Sequence, residues 1–311
     1  MMLPTVKPVD IIWLLLAVAF LFARCFQSFS ARIPHKINQV FQDLIRYGKT
    51  RQCKRPHWLC IFDVPKRWFW HFYAVSSIWN GLLIILSLRV VLMNKPYPQY
   101  LSHVLEFLTG EPTEAWNDLK LSVLLLHVLL WVHTLRRLAE CLFVSVFSDG
   151  VINVVQYTFG LSYYIFLGLT VLCVNVSQSR NGISGAPLLS QLRWYHGAGT
   201  LLYFWASLFQ HRCLSLLANL RTGSSGMVET LAHRMPCGDW FELVSCPHYF
   251  AELLIYGSLG LCSGGSSLTW WLVVLYVLFN QALAAQLCHE YYKSKFDSYP
   301  QQRKAFIPYL L

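Results

Sequence analysis

The run Leu121-Ser122-Val123-Leu124-Leu125-Leu126-His127-Val128-Leu129-Leu130-Trp131-Val132-His133-Thr134-Leu135-Arg136-Arg137-Leu138-Ala139-Glu140 decides the fold. Up to Leu135 it carries no formal charge. About 20 predominantly apolar residues cross the hydrocarbon core of a bilayer as a helix. The run then closes on two arginines, the usual mark of a span's cytosolic end.

Six further stretches have the same character. With this one they run near 11–29, 71–93, 121–144, 151–174, 196–216, 249–262 and 268–287. The reading is an all-α, polytopic membrane protein with seven transmembrane helices. The sixth stretch is short and meets Ser263-Gly264-Gly265-Ser266-Ser267, a turn signal, so the last two form a helical hairpin. The first stretch lacks a small-residue cleavage pattern and reads as a retained anchor. Composition agrees: of 311 residues 55% are hydrophobic and 13% charged, against about 25% charged in soluble domains.

Lysine and arginine counts set the orientation. The loop 30–70 holds nine, and Arg136, Arg137, Arg212, Arg221, Arg234 and four tail residues join them on one side. That side has eighteen and the other has five: Lys7, Lys95, Lys120, Arg180 and Arg193. The C-terminus is therefore cytosolic and the N-terminus lumenal. The net charge of +10 is explained by this bias rather than by nucleic-acid binding. The sequon Asn175-Val176-Ser177 falls on the lumenal side, close to the membrane.

No soluble domain fits this layout, so residues 1–311 form one membrane-embedded unit with cytosolic loops at about 30–70 and 221–247. The ten cysteines form no CxxC pair and read as small buried hydrophobes. Cys53 and Cys60 flank His57, but no fourth ligand follows, and no metal is expected. Nucleotide loops, HExxH, GxSxG and desaturase histidine boxes are missing from the sequence.

Polar residues gather at the cytosolic span ends. His133, Arg137 and Glu140 share one helix face. Gln210-His211-Arg212, Arg221, His233-Arg234, His248, Glu252, His289 and Tyr292 close other spans. Cations alone would satisfy the inside bias. Their mixture with His, Glu, Gln and Asn points to a shared pocket for an anionic cytosolic ligand, where arginines suit phosphate.

Several stretches together resemble the steroid 5α-reductase family, and within it the type 3 branch that handles prenyl lipids. They are Phe41-Gln42-Asp43-Leu44-Ile45-Arg46-Tyr47-Gly48-Lys49, Phe62-Asp63-Val64-Pro65-Lys66-Arg67 and 133–147. Two more are His233-Arg234-Met235-Pro236-Cys237-Gly238-Asp239-Trp240-Phe241-Glu242 and the tail from Tyr292 to Phe306. The resemblance implies a seven-helix reductase of the endoplasmic reticulum membrane that uses NADPH. It implies that Arg137, Arg221, Arg234, His248, His289 and Tyr292 hold the cofactor. Asp43 stands where steroid-reducing members carry a Glu, Thr134 replaces their Tyr proton donor, and His248 replaces a cofactor-contacting Asn.

Hydride adds to a carbon made electrophilic by conjugation with a carbonyl, so the substrate is an enal or enone. The expected substrate is polyprenal, reduced to dolichal for N-glycosylation. Asp43 is the first candidate proton donor, with His133 and Tyr47 as alternates. A 3-oxo-Δ4-steroid reductase, a sterol-ring reductase or isoprenylcysteine methyltransferase, and a seven-span receptor or transporter are the competing readings. Membrane lipid is an expected partner, and the sequence names no protein partner.

Overall fold

The computed structural model describes residues 7–51, 55–93, 95–112, 120–179, 188–223 and 226–310. The Cys53 of the candidate zinc pair and the side chain of Asn175 lie outside the described residues. The elements, in order, are α1 (Pro8–Ser28), α2 (His35–Ile45), α3 (His57–Cys60), β1 (Asp63–Pro65), α4 (Trp70–Met93) and α5 (Gln99–Thr109). They continue as α6 (Leu121–Phe143), β2 (Val151–Asn153), α7 (Val154–Ser179), α8 (Trp194–Asn219), α9 (Pro247–Cys262) and α10 (Leu268–Lys295).

Five of these helical segments are long and apolar enough to cross a membrane: Pro8–Ser28, Lys66–Val90, Leu121–Phe143, Val154–Val174 and Leu268–Lys295. The protein is a polytopic membrane protein, mostly helical. The other two expected spans form helices but fall short of that standard. α9 has 16 residues, about 24 Å at 1.5 Å per residue. α8 has 26, diluted by Tyr, His, Gly, Ser and Gln. The hairpin of α9 and α10 is formed, and Gly264 and Gly265 turn it with φ of +81° and +73°, values that suit glycine.

The fold is not purely helical. β1 and β2 pair antiparallel, with Asp63 opposite Asn153 and Val64 opposite Ile152. The fourth helix therefore starts at Val154 rather than 151. β-branched Val64, Val151 and Ile152 favour this ribbon. Nor is 30–70 a plain loop, since it carries α2, α3 and β1.

α1 packs along α10, α10 on α9, α9 on α8, and α4 joins α6 and α7. The apolar core runs through the middle, around Trp13, Leu83, Leu126, Tyr203, Tyr256 and Trp270. Trp13 donates to Thr170 at 3.0 Å and so ties α1 to α7. At Gly199 α8 and α9 are tightly packed: an added Cβ would lie 2.5 Å from Cys262 Sγ and 2.8 Å from its backbone nitrogen. Overpacking a tight contact costs about 1–3 kcal/mol. Gly199→Ala is therefore expected to lower the melting temperature of the purified protein, whereas Gly197→Ala, with open space around it, leaves it unchanged.

Candidate active site

A cavity of about 660 Å³ opens among α1, α2, α4, α6, α7, α8, α9 and α10, within the size range of small-molecule sites. One end gathers Lys49, Lys66, Arg137, Arg221 and Arg234, with Glu252 as the one carboxylate among the described lining residues. The other end is lined by Phe20, Phe72, Phe159, Val277 and Leu283. Leu44 and Val155, which also line the cavity, are exposed.

The charged end is assembled from distant segments. The short turn Gly48–Thr50 projects Lys49, whose Nζ donates to Tyr292 Oη at 2.5 Å and sits over its ring at 4.2 Å. Lys66 enters from the start of the α4 segment, and its side chain crosses close over Gly48. Gly48 has φ of +55° and leaves no room for a side chain there. Arg221 follows α8 and is held by the Val146 carbonyl at 2.5 Å. His233 stands next to Arg234. Burial, followed by the nearby cations Arg221, Lys49 and Lys66, pushes the His233 imidazole down to about 3. It is neutral at physiological pH and adds no charge.

α6 supplies the wall. Arg137 pairs with Glu140 and lies over the Tyr73 ring at 5.1 Å. Glu140 also receives Arg136 at 2.6 Å and His211 at 2.9 Å. Gln210 bridges the layers, accepting from Arg136 at 2.5 Å and donating to Glu252. The expected face of His133, Arg137 and Glu140 is thus a buried polar seam, and Arg137 is its member that lines the cavity.

Of the nine expected site residues, Tyr47, Arg137, Arg221, Arg234, His248 and Tyr292 line the cavity. The structure does not bring Asp43, His133 or His289 to it. His133 is fully buried behind Glu252, with Nε2 3.3 Å from Oε1 in an electrostatic contact without hydrogen-bond geometry. His289 turns to Ser245 at 2.6 Å and Tyr299 at 3.3 Å. Asp43 is an acceptor at both oxygens. Arg51 at 2.8 Å and Arg55 at 3.0 Å hold Oδ1, and Asn153 at 2.7 Å holds Oδ2. Asp43 thus sits in a clamp in which Arg51 and Arg55 also hold Asp63.

That clamp closes the chain segment that carries Leu44, Tyr47 and Lys49 into the cavity. Breaking a buried pair costs about 3 kcal/mol or more when the partner charge is left alone, but here Asp63 stays paired with both arginines. Asp43→Asn is therefore expected to lower thermal stability by less than that, and to weaken nucleotide binding by loosening this turn. A donor role would instead cost turnover at unchanged melting temperature.

Two buried polar atoms on the cavity wall have no partner: His248 Nδ1 and Gln156 Oε1. Such atoms await a ligand group or water. Sequence reading missed Lys49, Lys66, Tyr73 and Gln156. The available signal was intramembrane polarity, as in Asn280-Gln281 within the last span, both of which line the cavity.

Residues 153–311 match the sequence model of the family described as 3-oxo-5-alpha-steroid 4-dehydrogenase. The chain belongs to this family, the steroid 5α-reductases. Across nearly its whole length it is also similar to proteins named polyprenal reductase. It is 64% identical to that of Danio rerio over 97% of this chain and 98% of the relative. For Xenopus tropicalis the identity is 55% over 96% and 98%, and for Homo sapiens 48% over 98% and 96%.

Proposed function

We propose that this chain is a polyprenal reductase. It saturates the α,β double bond of the first isoprene unit of polyprenal to give dolichal, and so serves dolichol synthesis for N-glycosylation. One observation carries the reading. A single cavity carries five cations together with an apolar lining of Phe20, Phe72, Phe159, Val277 and Leu283, and two of its lining residues, Leu44 and Val155, are exposed. The cations suit a phosphorylated nucleotide, and the apolar lining suits a prenyl tail that continues into lipid.

The cofactor proposed is NADPH, which when bound supplies a hydride to the β-carbon of the enal. Its fit rests on the five cations and on the unpartnered His248 Nδ1. Arg221, Arg234, Lys49 and Lys66 would hold phosphates. Arg137, His248 and Tyr292 would hold the rest of the nucleotide.

Tyr47 is the proposed donor to the carbonyl oxygen, because it is the one of the three sequence candidates that reaches the cavity. Burial pushes its phenol up to about 12, although the hydrogen bond with Tyr249 works the other way. It therefore stays protonated and can donate to the negative charge developing on that oxygen. Tyr249 Oη lies 3.4 Å behind it as the next hydroxyl in line.

We further propose seven crossings, with the N-terminus lumenal, the C-terminus cytosolic and the protein in the endoplasmic reticulum membrane. α8 supports this through Leu201, Phe204, Trp205 and Leu208, which form an exposed apolar stripe of the kind that faces lipid. The long α10 returns directly from α9 through a tight turn, and α9 packs against α8. The count of eighteen basic residues against five supports the orientation.

Purified protein, NADPH and either polyprenal, polyprenol or a 3-oxo-Δ4-steroid, mixed without oxygen, test the function. NADPH consumption with polyprenal and not with polyprenol is expected. Consumption with the steroid alone would overturn the proposal.

A further inference from the structure

α2 is inside out. Gln42 and Asp43 face the protein, whereas Ile37, Val40 and Leu44 face away. On the inner side Gln42 donates to Gln27 at 2.8 Å, and Arg46 donates to Gln42 at 2.5 Å and to Glu290 at 3.0 Å. Asp43 is held by the clamp described above. Gln42 and Asp43 are each 5% exposed. On the outer side Ile37, Val40 and Leu44 are 57%, 37% and 39% exposed. With the half-buried Phe41 they fall at i, i+3, i+4 and i+7, a continuous stripe. A helix bathed in water hides such a stripe and shows its polar face.

The stripe does not stand alone. Phe41 meets Phe26 of the spanning α1 edge-on at 4.9 Å. Trp58 and Ile61, further along the same segment, are 52% and 75% exposed. α2 is pinned by Gln27 and Glu290, near the ends of α1 and α10, so it lies at the level where those helices leave the membrane. Exposed Arg32 and Lys36 flank its start, placed to reach lipid phosphates.

We infer that α2 is embedded in the cytosolic leaflet, its Ile37–Val40–Phe41–Leu44 stripe facing acyl chains, and that it forms the lipid-side post of the cavity mouth. Its partner is the bilayer itself. Leu44 lies on both the stripe and the cavity rim, so a long prenyl chain slides past α2 to bring its head inside. The second half of this statement rests on the prenyl-lipid reading above; the first half does not.

Two measurements test it. Val40→Cys, in protein with Cys25, Cys53, Cys60 and Cys237 replaced by Ser, is labelled with an environment-sensitive fluorophore in lipid nanodiscs. The control is protein labelled at the exposed native Cys237, with Cys25, Cys53 and Cys60 replaced by Ser. The Val40→Cys label is expected to emit to the blue of the control and to be quenched by spin-labelled lipid. Emission and quenching equal to the control would overturn the embedding. Next, Ile37→Gln with Val40→Gln is expected to raise the KM for long-chain polyprenal about tenfold by weakening the lipid-facing contact. NADPH affinity and turnover of a short, water-soluble enal stay unchanged. Equal losses on both enals would reduce α2 to a folding role and overturn its part in the mouth. No turnover of any enal by the unaltered protein would sink the prenyl-lipid reading and the post with it, while the fluorescence still decides the placement.

Discussion

Tyr47→Phe is expected to lower kcat on polyprenal by about 10²–10³, the usual worth of a positioned proton donor. NADPH affinity is expected to change by less than about twofold, because phosphate contacts supply most of the binding. The change deletes one oxygen from a buried ring and leaves its packing intact. The pH profile adds a second readout. Burial holds the Tyr47 phenol at about 12, so kcat should stay level from neutral to mildly alkaline pH. A histidine donor would instead lose activity as pH rose through about 6.5, its ordinary range. Tyr249→Phe removes only the hydroxyl behind Tyr47, and a smaller loss follows. Full turnover by Tyr47→Phe would return the donor role to another group.

The second large effect belongs to the cationic end. Arg221→Gln and Arg234→Gln are each expected to raise the KM for NADPH by about 10–100-fold, since a hydrogen bond to a charged group contributes about 1.5–3 kcal/mol. Arg221 is fixed by the Val146 carbonyl and enters the cavity half-buried, whereas Arg234 is exposed. Arg221 is therefore expected to show the larger effect. Comparing NADPH with NADH assigns the contacts. The variant that loses the 2′-phosphate contact binds both with similar affinity, and the other keeps its preference. Lys at either site restores charge but not the two-pronged geometry, so partial recovery is expected.

The spans were legible because the bilayer imposes length and apolarity on any helix that crosses it. Five met that standard, and the α9–α10 hairpin was announced by its Gly-Gly turn. α2 was not legible. Basic residues around it marked the segment as cytosolic, and its amphipathic pattern does not reveal which face turns inward. The β1–β2 ribbon was hidden because its two strands are three residues each and far apart in sequence. In the site, Arg137, Arg221, Arg234, His248 and Tyr292 stood out as polar residues gathered at the cytosolic span ends, and the family resemblance implied their cofactor role. Asp43 stays off the cavity wall for a physical reason the sequence does not show: its setting depends on Arg51, Arg55 and Asn153, and the last lies 110 residues away. Lys49 and Lys66 read as ordinary loop cations until the turn at Gly48 brought them into the cavity.

In the proposed reaction, hydride reaches the β-carbon of an enal held in this cavity. Purified protein given polyprenal and NADPH deuterated at the transferring carbon tests it most directly. Dolichal carrying one deuterium at the β-carbon is expected. Deuterium on the former aldehyde carbon, with the double bond intact, would contradict it.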